Sequence, residues 1–183
     1  MLLGFVINPI AGMGGSVALK GTDGDAYRVA LSKGAVPLAR GRAVRALSRL
    51  DGDIGFLTAS GEMGAWALND LGLDHEVVWE TSGESVPEDT RQACRRFMEK
   101  KVELIVFCGG DGTARDVLDG IGDQVPVIGI PSGVKMHSAV FANTPEEAGD
   151  AVARFVKGET ETRLAEVMDV DEDAFRKGEL RTR

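Results

Sequence analysis

Residues 102–107 read VELIVF, and Cys108-Gly109-Gly110-Asp111-Gly112-Thr113 follows at once. A strand with one wet face alternates polar and apolar residues; this run, Glu103 apart, does not. Near-continuous apolar character is what a central parallel strand needs when helices cover both of its faces. The glycine cluster stops the strand, and 114–121 then has helical composition. The same order recurs along the chain. Strands are expected at 2–7, 54–58, 76–80 and 125–130. Helices are expected at 42–50, 62–71, 88–100 and 145–157, with a short helix over 137–142. Ser85-Val86-Pro87-Glu88 and Thr144-Pro145-Glu146-Glu147 have the spacing of capping boxes. Strand–helix alternation predicts an α/β fold with an open, mainly parallel Rossmann-like sheet and helices on both faces. Residues 1–158 form one α/β domain in this reading. Residues 159–183, with a new strand at 160–170, begin a β-rich second domain that is cut short.

Glycine supplies 24 of the 183 residues, about 13% against about 7% on average. Without a triplet period this is not collagen, so tight turns and close backbone approach to a ligand are the expected uses. The formal net charge is −8, from 21 Lys+Arg and 29 Asp+Glu. An acidic chain without a basic run is a poor partner for nucleic acid or an anionic membrane. Cys94 and Cys108 form no CxxC pair, and His75 and His137 are too few for most zinc sites. No apolar run has the length of a membrane span, and the apolar start lacks the basic flank of a signal peptide. A cytoplasmic protein is the expectation.

Three glycine-bearing loops each follow an apolar strand. They are Asn8-Pro9-Ile10-Ala11-Gly12-Met13-Gly14-Gly15, Gly109-Gly110-Asp111-Gly112-Thr113, and Pro131-Ser132-Gly133-Val134-Lys135. Ligands of open α/β sheets bind outside the carboxyl ends of the strands. Neither a P-loop nor a dinucleotide fingerprint is present: Val17 and Arg115 stand where the latter needs its third glycine. The Gly109–Thr113 cluster has two readings. Its glycines take positive φ and pass close to a phosphate chain, with the next helix aimed at the anion; Asp111 then binds a cation or accepts a proton. Alternatively it is a plain strand-to-helix turn with Asp111 as the cap.

GGDGT, with NPIAGMGG before it and GIPSGVKMHSAVFA after it, resembles the superfamily of NAD kinases and diacylglycerol-type lipid kinases. The likeness covers essentially the whole chain. It is nearest to the ATP-NAD kinase-like branch, whose amino-terminal domain has a phosphofructokinase-like fold. The resemblance implies phosphoryl transfer from ATP or polyphosphate, with Mg²⁺, to the 2′-hydroxyl of NAD. It makes Asp111 the general base. Gly109, Gly110, Gly112 and Thr113 would hold nucleotide phosphates, with Asn8, Gly12 and Gly14 facing them from the first loop. Ser132 and Gly133 would line the site, and Lys135 and His137 would add positive charge. The second substrate motif of NAD kinases, an Asn followed by an acidic residue in a β-rich domain, is not found in this sequence. Small-molecule nucleotides are the expected partners, and the family implies homo-oligomers. A lipid or sphingoid-base kinase and a non-catalytic nucleotide-binding fragment are the alternatives. Among the remaining residues, Arg115 is read as a phosphate contact or an exposed first-turn arginine. Cys108 is read as a small apolar strand residue, and Trp66 and Trp79 as core or partner contacts.

Overall fold

A computed structural model of the chain describes residues 1–13, 32, 37–133 and 136–168. Five parallel strands form one sheet in the order β3-β2-β1-β4-β5. They are β1 (Leu2–Ile7), β2 (Gly55–Ala59), β3 (His75–Trp79), β4 (Leu104–Gly109) and β5 (Val127–Pro131). Between them run α1 (Ala39–Leu47), α2 (Ala65–Asp70), α3 (Pro87–Glu99), α4 (Asp111–Ile121) and, after β5, α5 (Pro145–Val156).

The period of two along β4 assigns its side chains to opposite cores. Leu104, Val106 and Cys108 join Leu3, Phe5, Ile7 and Ile130 beneath α1, α2 and α5. Ile105 and Phe107 join Val6, Leu57 and Phe97 beneath α3 and α4. Every residue of β4 is buried, as the apolar run requires. Each large side chain so removed from water contributes about 1.5–3 kcal/mol. Close helix packing uses small residues. A Cβ on Gly149 of α5 would overlap the carbonyl oxygen of Ala46 on α1 and lie 2.9 Å from Arg49 Cβ. α3 and α4 are tied by an Arg91–Asp116 ion pair.

Several boundaries differ from the sequence expectation. Helix α4 begins at Asp111, not at 114, so half of the glycine cluster is helix. The cap of α3 is Val86, not Ser85, because Pro87 takes the first helical position; the Val86 N–H is held by Asp89 Oδ2 at 2.8 Å. The helix expected at 62–71 divides at Gly64 into a 3-10 turn (Gly61–Met63) and α2. Thr144 does cap α5, its Oγ1 accepting from Glu147 N at 3.1 Å. Residues 137–142 form no helix: a bridge between Gly129 and Phe141 ties them to the free edge of β5 instead. No strand forms over 160–168; the Ala139 N–H donates to the Glu166 carbonyl at 2.9 Å. No helix among the described residues is long and apolar enough to cross a membrane.

Candidate phosphate-binding site

The strand order places a topological switch between β1 and β4, where connections leave the sheet in opposite directions. A crevice opens at the carboxyl ends of such strands. The three loops singled out in the sequence leave β1, β4 and β5, three neighbours in the sheet. They interlock through the backbone. Asn8 N donates to Cys108 O at 2.9 Å, and Ser132 N donates to Gly109 O at 3.0 Å.

The first loop folds back on itself. Ile10 N reaches Asn8 Oδ1 at 3.3 Å and Ala11 N reaches Asn8 O at 3.1 Å. Asn8 Nδ2 donates to Thr113 Oγ1 at 3.0 Å, joining this loop to the first turn of α4. Gly12 has φ +79° and packs directly on Ser132, whose carbonyl a Cβ at that position would overlap. Gly12 is thus glycine for two reasons at once: its backbone is left-handed and its neighbour leaves no room.

The glycines of the second loop do not act as expected from the sequence. None of Gly109, Gly110 and Gly112 has positive φ. Gly109 is a packing glycine, since a Cβ there would drive into the Thr113 side chain. Gly110 and Gly112 face open space, with nothing within 4 Å of a Cβ. The mouth of α4 therefore has no side-chain wall at these positions. The N–H groups of Asp111, Gly112 and Thr113 precede the first intrahelical bond, Ala114 N to Gly110 O at 3.0 Å. Orphan donors at a helix start, added to the helix dipole, make an anion site. Thr113 is buried, and its hydroxyl serves Asn8 and, at 3.4 Å, Gly110 N. It bolts the loops together.

Asp111 is the first residue of α4, and its carboxylate is held from across the site. Oδ1 accepts from Ser138 N at 2.7 Å, Ser138 Oγ at 2.6 Å and His137 N at 3.1 Å. Among the described residues Oδ2 accepts only from His137 N, at 3.0 Å. A carboxylate offers about four acceptor positions, so the open capacity is on Oδ2. The donors on Asp111 come from the segment beyond the third loop, so Asp111 also anchors that segment to α4. Ser138 is buried, and its Oγ accepts from Met168 N at 3.0 Å. Sequence reasoning missed Ser138, because no spacing rule marks a serine whose partner lies 27 positions away.

Ser132 is 1% exposed, and its Oγ has no hydrogen-bond partner among the described residues. On either side of it, Pro131 O and Gly133 O accept from Arg42 Nη1 at 3.1 and 3.3 Å. Arg42, on the first turns of α1, was also missed, since an arginine in an ordinary helical stripe carries no motif. Behind it, burial pushes the Cys108 thiol up to about 12 against the opposing pull of the Arg42 charge. Cys108 is accordingly a core residue and not a nucleophile. Trp66 is 46% exposed, with the Arg40 guanidinium 5.6 Å from its ring centre. Trp79 is half-buried and donates to Asp89 Oδ1 at 3.0 Å. Among the predicted site residues, the structure brings together Asn8, Gly12, Gly109, Gly110, Asp111, Gly112, Thr113, Ser132 and Gly133. Gly14 and Lys135 lie outside the described residues. Among the described residues, no three His, Cys, Asp or Glu side chains cluster as a metal site.

No curated protein is similar enough to match. A solved protein of Bacillus anthracis str. Sterne, with the provisional name diacylglycerol kinase, is 18% identical. It aligns with a TM-score of 0.42 over 84% of this chain and 38% of its own. A second, described as a diacylglycerol kinase from the same organism, is 19% identical, with a TM-score of 0.39 over 86% of this chain and 42% of its own. The chain thus spans about two fifths of the length of these solved structures. Residues 3–160 match the ATP-NAD kinase N-terminal domain. That stretch runs from β1 through the end of α5 and contains all three loops, and the chain belongs to the ATP-NAD kinase N-terminal domain family.

Proposed function

We propose that this domain holds the phosphates of ATP or polyphosphate for transfer of one phosphoryl group to the 2′-hydroxyl of NAD. The observation that carries the reading is the mouth of α4. Its orphan N–H groups open at the β1–β4 switch, and Gly110 and Gly112 leave it unwalled. Phosphoryl transfer asks mainly for positioning and charge stabilisation, and a rigid array of backbone donors supplies both.

Asp111 takes the acceptor's hydroxyl proton on Oδ2, the oxygen with acceptor capacity to spare. The hydroxyl oxygen forms the new P–O bond as the bridging P–O bond of the donor breaks, and the donor leaves one phosphate shorter. Mg²⁺ commonly takes one or two carboxylates and completes its shell with phosphates and water. Asp111, the carboxylate described at this mouth, would hold a Mg²⁺ arriving with the nucleotide, and the ion would supply positive charge to the phosphates. Asn8 and Thr113 serve by holding the first loop against α4. The soluble nucleotides are the partners in this reading, in a cytoplasmic setting.

The test uses γ-labelled ATP and labelled polyphosphate with NAD and with diacylglycerol vesicles as competing acceptors. Label appearing in NADP, and lost in Asp111→Asn, is the expected result. Label in the lipid overturns the choice of acceptor. Absence of any triphosphate or polyphosphate binding overturns the phosphate site itself.

A further inference from the structure

We propose that Arg42 is the cationic arm of this site and that Ser132 Oγ binds the same phosphate group. The proposal rests on the phosphate reading above; it adds Arg42 to the site and gives the hydroxyl of Ser132, already expected to line it, a stated partner.

Helix α1 begins at the same edge of the sheet as the loops, since Cys108 Sγ at the end of β4 donates to Ala39 O at 3.4 Å. Arg42 lies one turn in. The other two arginines of α1 each hold a carboxylate: Arg40 bonds Asp70 at 2.6 Å and Arg45 bonds Glu146 at 2.9 Å. Arg42 is less exposed than either. Yet it has no carboxylate within 4.0 Å among the described residues. Both of its hydrogen bonds leave from Nη1. The guanidinium has five N–H donors in a planar fork, so three remain, on Nε and Nη2, without a bond among the described residues. A partly desolvated cation without a counter-ion is unfavourable, and the chain as a whole is acidic and rich in candidate partners.

Ser132 presents a second unmet need on the same short segment. A buried hydroxyl without a partner is destabilising, and such groups in a native fold ask for an explanation. Arg42 grips the carbonyls on both sides of this serine. One tetrahedral anion supplies what each lacks: oxygens for the forked N–H groups and an acceptor for the hydroxyl. The opposing helix mouth at Gly110–Gly112 then binds the next phosphate of the chain. A linear triphosphate or polyphosphate is the ligand class, because its successive phosphates offer one group to Arg42 and Ser132 and the next to the helix mouth.

Tripolyphosphate is the probe. Wild-type affinity is measured by calorimetry beside Arg42→Gln, Arg42→Lys and Ser132→Ala. Arg42→Gln is expected to lose tenfold or more, and Arg42→Lys to recover only part, because a point charge lacks the fork. Ser132→Ala is expected to lose severalfold with no loss of thermal stability, since its hydroxyl has no internal partner to forfeit. Arg42→Ala should regain affinity in millimolar guanidinium, which a purely structural clamp would not show. Should the Arg42 variants fail to fold, phenylglyoxal modification of the wild type decides: tripolyphosphate must protect Arg42. Wild-type binding with no protection, and equal affinity in Ser132→Ala, overturns this proposal alone. No binding by the wild type overturns the phosphate reading beneath it.

Discussion

Replacing Asp111 by Asn changes one oxygen to an amide and tests whether the side chain is an anchor as well as a base. The carboxylate receives Ser138 N, Ser138 Oγ and His137 N. The new carbonyl oxygen keeps the two Ser138 donors. The His137 N–H is shared by both oxygens; it keeps Oδ1 at 3.1 Å but meets the new Nδ2 donor against donor. About half of one hydrogen bond to a charged group, worth about 1.5–3 kcal/mol when whole, is lost. The bonds that remain on Oδ1 fall towards neutral strength, roughly half. With the group partly exposed, the expected loss is about 2–3 kcal/mol. For a chain of this length each kcal/mol moves Tm by roughly 2–4 °C, so the midpoint should fall by roughly 4–12 °C. Calorimetric melting of wild type and variant measures it, and amide exchange across 136–142 should accelerate in the variant. An unchanged midpoint with unchanged exchange in that segment would refute the anchoring argument. Turnover of the variant must therefore be assayed well below its own midpoint.

Two further substitutions probe the frame. Gly149→Ala places a methyl group on the Ala46 carbonyl and 2.9 Å from Arg49 Cβ; α1 and α5 must separate, and urea unfolding should register a loss of about 1–3 kcal/mol. Burial holds both thiols well above their ordinary value, at about 12 for Cys94 and for Cys108. Such a raised value means the unfolded thiol ionises first, so the stabilising effect is whole below pH 9 and declines from about 9 to 12. Each thiol then steepens the alkaline loss by up to about 1.4 kcal/mol per pH unit. The Cys94→Ala, Cys108→Ala double variant should show a shallower decline between those limits, and an identical slope would contradict the burial argument.

The sheet was legible because its signal is local. The run at 104–108 is apolar at every position, and a short central strand between two helical layers accommodates it. The family signal was legible for the same reason, as three short loops at strand ends. What failed were inferences about glycine and about termini. Gly109, Gly110 and Gly112 look like turn formers, yet they lie in extended and helical backbone. Their value is the absence of a side chain, towards Thr113 in one case and towards open space in the others. The 137–142 segment has helical composition, but the free edge of β5 and the carboxylate of Asp111 claim its backbone donors. Ser138 and Arg42 were invisible because their meaning lies in partners 27 and about 90 positions away.

The bond between Asn8 and Thr113 spans 105 positions of the chain, and this has a consequence for assembly. Neither loop has a local precursor of the joint structure, because each belongs to a different half of the sheet. The helix mouth therefore acquires its final shape only when β1 has docked beside β4, late in a sequence of events governed by loop closure. Ligand affinity here is a reporter of folding. A bound polyphosphate would also act as a removable staple between the two halves, adding about 2.7 kcal/mol at a concentration one hundred times its Kd. On the proposed reading, supply of that ligand would set how much of the protein survives.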